Sequence, residues 1–334
     1  MLIGDLGEEA LLKELRRLFA AVGPGLLTGI GDDAAVVALP HSAEGVWTTD
    51  LLLEGIHFQR DWQTPWQLGR KSLAVNLSDI ASMGATPRFA LLSISCPGDT
   101  PLDYILEFCQ GFASLAAEEQ VLVVGGDTTG STGSLSIGVT VGGYIDPGAA
   151  VLRSGATAGD SILVTGSLGA SAAGLRLLNN GQAEKYADLA GAFREPCARV
   201  AAGRAAAEAG ATSMTDISDG LATDLRHICE ESGVGAMIES WSLPALPSLA
   251  AAASEFGWDP RQLMLTGGED YELLFTLPGG IAEQLKSMIE RAASVAVTIV
   301  GEIMPAEYGI MLVDKTGAGT PMPARGYEHF EKNG

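Results

Sequence analysis

A chain of 334 residues, 47% hydrophobic and 18% charged, is too apolar to stay disordered and has the length for two domains that each bury a core. Its formal charge of -21, from 20 Lys and Arg against 41 Asp and Glu, excludes a nucleic-acid partner, because phosphate backbones demand a basic surplus. Asp5, Glu8, Glu9 and Lys13 break the basic-then-apolar order of a secretion signal, and no run reads as a membrane span, so a cytoplasmic protein with no membrane partner is expected. Cys96, Cys109, Cys197 and Cys229 form no C-x-x-C pair, which leaves buried or free thiols in a reducing compartment.

Glu8 to Ala21 carries Leu11, Leu12, Leu15 and Leu18 at helical spacing, and Gly23-Pro24-Gly25 ends it. Asp32 and Asp33, in G-I-G-D-D-A, then stand at the mouth of the apolar run Ala34 to Leu39, read as a strand with Val46 to Thr49 as its neighbour. The stretch T-T-D-L-L-L-E-G-I-H, Thr48 to His57, ends an extended segment with two hydroxyls and an acid. Thr48, Thr49 and Asp50 offer hard oxygen donors that suit magnesium, and His57 follows across the same corner. Taken alone, the stretch reads equally as a strand end followed by an Asx turn.

Trp66 to Met83 reads as a helix with Leu73, Leu77 and Ile80 on one face and Asn76 and Asp79 on another, so Asp79 is either solvated or a ligand. Arg88 to Ser95 is a strand, Leu102 to Glu118 a helix, and Val121 to Val124 a buried strand. Gly125-Gly126-Asp127-Thr128-Thr129 follows as a glycine-rich loop whose amides can face phosphate oxygens while Asp127 holds a metal. Leu135 to Ile145 closes the first half as a strand.

Asp146 to Asp160 reads as a boundary, giving domains 1–146 and 147–334, and Arg153 within it is either a surface ion pair or a phosphate clamp. Strands then alternate with helices: Ile162 to Thr165, a helix near Ala170 to Leu178, an Ala-rich helix from Pro196 to Ala209, the strand Ser213 to Ile217 and a helix from Asp219 to Glu231. Ser218 and Asp219 serve either as N-caps or, with Asp216, as contacts to a nucleotide and its metal. G-G-E-D-Y-E, Gly267 to Glu272, is either a tight turn with solvated acids or a site for a cationic group, ahead of the strand Leu273 to Leu277. A helix from Ile281 to Ala292, strands at Val297 to Val300 and Ile310 to Val313, and the tail R-G-Y-E-H-F complete the chain.

No P-loop lysine motif, dinucleotide fingerprint or protein-kinase signature is present. Phosphate handling would therefore rest on metal and on glycine-rich backbone. Two like charges 4 Å apart repel by roughly 4 kcal/mol at an effective dielectric of 20, so carboxylates facing a polyphosphate require divalent cations between them.

In order, G-I-G-D-D, T-T-D-L-L-L-E-G-I-H-F, N-L-S-D-I-A-S-M-G-A, G-G-D-T-T, R-S-G-A-T-A-G-D, D-I-S-D-G-L and G-G-E-D-Y-E-L resemble the thiamine-monophosphate kinase family, within the wider aminoimidazole ribonucleotide synthetase-like group of ATP enzymes. The resemblance spans nearly the whole chain. It implies an α/β (α+β) two-domain fold, with an N-terminal sheet domain that binds ATP and magnesium and dimerises, and an α+β C-terminal domain. It also implies transfer of the γ-phosphoryl of ATP to thiamine monophosphate with several Mg2+ ions.

By the same resemblance, metal ligands fall on Asp33, Thr48, Thr49, Asp50, Asp79, Asp127, Asp216 and Asp219, with Asp50, Asp79 and Asp127 carrying most of the catalysis. Nucleotide contacts fall on Gly126, Asp127, Arg153 and Ser218, and substrate contacts on His57 and Glu269. Some members have an aromatic where this chain has Ala324, and Tyr327 is the other candidate for that stacking face. The acceptor is a phosphate monoester with a second pKa near 6, so its oxygen is largely anionic at neutral pH and needs no strong base. The alternatives are a sibling ATP enzyme with another acceptor and a regulator that holds Mg-ATP without turning it over.

Overall fold

The structure, a computed structural model, describes residues 1–6, 8–19, 23–30, 34–323 and 326. The chain forms two compact units, Met1–Ile80 with Ala85–Gly148 and Ala81–Gly84 with Ala149–Gly334.

The first unit begins with α1 (Ile3–Leu6), α2 (Glu8–Leu18), β1 (Leu26–Thr28) and β2 (Val36–Val37). It continues with β3 (Glu44–Leu53), α3 (Pro65–Ser82), β4 (Thr86–Cys96), α4 (Leu102–Glu118), β5 (Leu122–Gly130) and β6 (Ser136–Ile145). Its four-stranded sheet runs β3-β6-β4-β5, antiparallel except for the parallel β4/β5 pair. Alternation fixes its two faces: Leu92 and Ile94 of β4 are buried with Ile137, Val139 and Val141 of β6, while Leu91 and Ser93 are exposed. Helices α3 and α4 approach closely where neither has a side chain, since a Cβ on Gly69 would lie 1.9 Å from Phe108 O and one on Gly111 1.9 Å from Trp66 O.

Two expectations for this unit change. Only Val36–Val37 of the run from Ala34 to Leu39 is a strand, and it pairs with β1. Pro40 ends the run, and β3 instead finds ten partners on β6, so the longer ladder wins. The stretch Gly125 to Thr129, expected as a loop, lies within β5, because a register shift at Val124 lets the strand keep pairing with β4 out to Cys96 and Gly130.

The second unit contains β7 (Asp160–Thr165), α5 (Ala170–Asn179), α6 (Ala187–Arg194), α7 (Val200–Glu208), β8 (Ser213–Asp216) and α8 (Leu221–Ser232). There follow β9 (Gly235–Glu239), α9 (Pro247–Phe256), α10 (Pro260–Thr266), β10 (Leu273–Pro278), α11 (Ala282–Ala293), β11 (Val297–Met304), β12 (Ile310–Val313) and β13 (Gly319–Pro321). Its sheet runs β13-β12-β9-β11-β7-β10-β8, antiparallel but for β12 beside β9. Leu221, Leu225 and Ile228 of α8 pack with Ile162, Val164, Leu274 and Val300 of the sheet in one core. Ala173, Leu177, Leu189, Ala252 and Leu263 form a second cluster among α5, α6, α9 and α10. Two helix starts differ from expectation: α7 begins at Val200, after Pro196, and α8 at Leu221, which leaves Asp219 outside its first turn. Among the described residues no helix is long and apolar enough to cross a membrane, and all four cysteines are free.

Candidate active site

In the first unit, strand β3 sets the geometry. Its pairing puts Thr48, Asp50 and Leu52 opposite Val141, Val139 and Ile137 on the covered face, and Trp47, Thr49 and Leu51 on the open one. Thr48 Oγ1 donates to Asp79 Oδ2 of α3 at 2.5 Å. Burial, reinforced by the neighbouring Asp79 carboxylate, pushes the Asp50 carboxyl up to about 6. The Thr49 hydroxyl bonds to Val139 O and Thr140 Oγ1, each at 3.0 Å. Asp127 pairs with Ser93 on the open face as well. Thus Thr48, Asp50 and Asp79 come together, and Thr49 and Asp127 stand on the opposite side of the sheet. Gly126 occupies a position closed to other residues, with φ 156° and a would-be Cβ 1.8 Å from Leu92 O.

His57 is fixed by the turn that leaves β3. The Leu53 N–H donates to His57 Nδ1 at 3.0 Å, so the neutral ring carries its proton on Nε2. A guanidinium fork braces that turn: Arg60 Nε lies 2.8 Å from Glu54 Oε1, and Arg60 Nη2 donates to Glu54 Oε2 at 3.0 Å. Arg60 also sits over the Tyr104 ring, 5.3 Å from its centroid.

In the second unit, β8 ends at Asp216, and Ile217-Ser218-Asp219-Gly220 turns into α8. Neither Ser218 nor Asp219 caps that helix. Gly220 is its N-cap, and Asp224 Oδ2 takes the Asp219 and Gly220 N–H groups, both at 3.1 Å. Burial, then the charges of Asp216 and Asp219, push the Asp224 carboxyl up to about 8 against the pull of those two amides. Arg153 is exposed, and its Nε donates to Thr215 Oγ1 at 3.3 Å, one residue before Asp216.

The G-G-E-D-Y-E turn is zipped onto this loop by its backbone. The Glu269 N–H reaches Ser218 O at 2.7 Å, the Tyr271 N–H reaches Ile217 O at 2.9 Å, and the Ile217 N–H reaches Glu272 O at 2.7 Å. Glu269 and Tyr271 have φ of 64° and 51°. Left-handed backbone costs a residue with a side chain roughly 1–2 kcal/mol, so the surroundings must enforce it. Asp270 accepts the Gly169 and Ser171 N–H groups at 2.7 and 3.2 Å where α5 begins, and burial pushes its carboxyl up to about 8. Asp33, Ala324 and Tyr327 lie outside the described residues.

Two family models match the chain: AIR synthase related protein, N-terminal domain, over residues 31–145, and AIR synthase related protein, C-terminal domain, over residues 157–314. The thiamine-monophosphate kinase of Corynebacterium glutamicum is 40% identical over 284 residues, covering 83% of each chain. The chain belongs to the thiamine-monophosphate kinases of the AIR synthase related family. Among solved thiamine-monophosphate kinases, that of Stenotrophomonas maltophilia K279a superposes with a TM-score of 0.82 at 34% identity, covering 93% of this chain and 96% of the other. AaThiL complexed with AMPPCP and TMP gives a TM-score of 0.76 at 30% identity, covering 98% of this chain and 99% of that one.

Members of an ATP-using kinase family call for a divalent cation, and the donor chemistry here fits one. Among the described residues no three His, Cys, Asp or Glu side chains form a ready-made cage. Magnesium does not need one, since it keeps several waters and binds through one or two carboxylates together with substrate phosphates. Asp50 beside Asp79, with the Thr48 hydroxyl between strand and helix, supplies such an all-oxygen set, and its mutual repulsion is what a cation relieves. Sequence reading missed Asp224, Arg199, whose Nε and Nη2 donate to the Glu272 carboxylate, and the separate tasks of Asp270 and Glu272. The one local signal was an acid five residues after Asp219 in D-G-L-A-T-D.

Proposed function

We propose that this chain transfers the terminal phosphoryl group of ATP to thiamine monophosphate, giving thiamine diphosphate and ADP. The observation that carries the reading is the half-buried Asp50–Asp79 pair with its Thr48 hydroxyl, in a chain whose relatives are thiamine-monophosphate kinases. Thr48, Asp50 and Asp79 would hold Mg2+ on one side of the N-terminal sheet. Asp33 is kept as a further ligand by resemblance, as are Thr49 and Asp127, which stand on the two edge strands β3 and β5 of the other face, and Asp216 with Asp219 in the second unit. Bound Mg2+ supplies positive charge that offsets repulsion between the two phosphates and stabilises the equatorial oxygens during in-line transfer.

The chain's own residues do the remaining work. Thr48 holds the Asp79 carboxylate by its short hydrogen bond. The backbone at Gly126 is the first unit's proposed contact for nucleotide phosphates, and Arg153 and Ser218 are the second unit's. In the first unit His57 offers its Nε2 hydrogen to thiamine monophosphate, and in the second Glu269 is the proposed partner of the cationic ring. Tyr327, or the position of Ala324, is kept as the candidate stacking contact. No residue need act as a strong base, because the acceptor oxygen is already anionic.

The test is direct: the protein is incubated with ATP, MgCl2 and thiamine monophosphate, and thiamine diphosphate is measured. Nucleotide binding without product would establish the regulatory alternative, and product from a different acceptor would establish a sibling enzyme. The free, buried Cys96, Cys109 and Cys229 support a cytoplasmic setting.

The open face of the N-terminal sheet supports a homodimer. Trp47 is 56% exposed, Leu51 57% and Leu91 37%, all on that face. Introducing Trp47→Asp together with Leu51→Asp is expected to convert a dimer to a monomer in light scattering. A parent protein that is already monomeric at micromolar concentration would refute the dimer.

A further inference from the structure

We infer that Arg199 is a positioning residue for Glu269, acting through Glu272 at the strained G-G-E-D-Y-E turn. Its guanidinium grips the Glu272 carboxylate with two prongs, Nε to Oε2 and Nη2 to Oε1, each 2.6 Å. Only 6% of the Glu272 side chain is exposed. A third donor completes the set: Thr165 Oγ1 gives a hydrogen bond to Glu272 Oε2 at 2.6 Å and accepts the Leu273 N–H at 2.8 Å. The main chain of Glu272 is held too, since its carbonyl takes the Ile217 N–H. Glu272 is therefore fixed by side chain and backbone together.

The residues just before it are the ones in rarely adopted conformations. Glu269 and Tyr271 have positive φ, and Asp270 between them is tied to the Gly169 and Ser171 amides. Positions 270 and 272 thus act as two inward anchors that alternate with the positive-φ residues Glu269 and Tyr271, and together they keep the turn in a shape that L-residues avoid. Releasing the second anchor lets the turn relax toward ordinary backbone, which displaces the carboxylate of Glu269. A planar, two-pronged guanidinium suits this task because it fixes direction as well as charge. The inference rests on the proposed role of Glu269 in binding thiamine monophosphate.

The experiment compares four proteins by steady-state kinetics and thermal melting: the parent, Glu269→Gln, Arg199→Lys, and the pair Arg199→Met with Glu272→Gln. The pair removes both charges at once, so no lone buried carboxylate is left to unfold the domain. The expected result is a KM for thiamine monophosphate raised at least about tenfold in Glu269→Gln and in the pair, with kcat and the KM for ATP within about twofold of the parent. Arg199→Lys, which keeps the charge and loses the fork, is expected to recover only part of the KM. If Glu269→Gln raises the KM and the folded pair does not, the inference falls while the proposed role of Glu269 stands. Equal loss in kcat and in both KM values would make Arg199 merely structural. A normal KM in Glu269→Gln would remove the role of Glu269 and the inference with it. Should the pair fail to fold, Arg199→Lys alone decides: a parental KM for thiamine monophosphate overturns the inference.

Discussion

Replacing Asp79 with Ala is expected to cut turnover about a thousandfold or more, some 4 kcal/mol of transition-state stabilisation at 1.36 kcal/mol per factor of ten, while the melting temperature hardly moves. The two effects separate because Asp79 is proposed to serve the metal and contributes little to packing. Burial holds Asp50 up at about 6 and the Asp79 carboxylate adds to it, so removing Asp79 relieves repulsion in the metal-free protein. The counter-term is the hydrogen bond from Thr48, whose loss costs about 1 kcal/mol. Asp79→Asn keeps an acceptor for Thr48 and removes the charge, so it should share the kinetic defect and melt no lower than the parent. Turnover within tenfold of the parent in both variants would mean that the Asp50–Asp79 pair does not hold a catalytic ion.

Removing divalent cations should make stability fall as pH rises, the reverse of the usual behaviour of paired carboxylates. Asp50 is pushed up to about 6, and Asp224 and Asp270 to about 8, from an unperturbed 3.8. Because the folded state holds these protons more tightly than the unfolded chain does, their contribution is complete below the unfolded value. It is lost as pH climbs through the folded values. In chelator, the melting temperature should therefore decline between about pH 5 and pH 8, by about 1–2 °C for each kcal/mol lost in a chain of 334 residues.

Saturating Mg2+ should flatten the parts owed to Asp50 and Asp224, whose neighbours are the proposed metal acids. The part owed to Asp270 should remain, since its oxygens are taken by the Gly169 and Ser171 amides. Calorimetry at several pH values, with chelator and with magnesium, reads both components. A chelated protein whose melting temperature rises over that range would contradict the assignment.

Particular elements show what a linear chain reveals. The helix Leu102–Glu118 and the strand Ile310–Val313 were legible to the residue, because leucine and phenylalanine at helical spacing, or a short apolar run between turns, leave one reading. Helices α9 and α10 were not: P-S-L-A-A-A-A-S-E-F and P-R-Q-L-M-L-T carry weak patterns, and what buries them is the neighbouring α5 and α6. Strand β9, G-A-M-I-E, is too short to declare itself without β11 and β12 on either side.

At the candidate site the acids were legible as residue types, because each lies beside glycine or a small hydroxyl. Their facing was not. The run T-T-D suggests three donors in one place, yet the two-residue period of a strand sends Thr49 away from Thr48 and Asp50. The orientation of Asp127 depends on a register shift in a parallel pair, which no local pattern encodes. Ser218 and Asp219 look like caps for a helix that Asp224 serves instead. The Arg199–Glu272 fork joins positions 73 apart, a separation at which spacing carries no information.

The bond between Leu53 and His57 has a bearing on how protons move during turnover. With Nδ1 already occupied by a main-chain donor and hydrogen on the other nitrogen, the imidazole has no lone pair left with which to relieve a nucleophile of its proton. An acidic fall in rate should then trace the second ionisation of thiamine monophosphate itself, near 6, and should shift with the acidity of the acceptor when phosphate analogues are supplied.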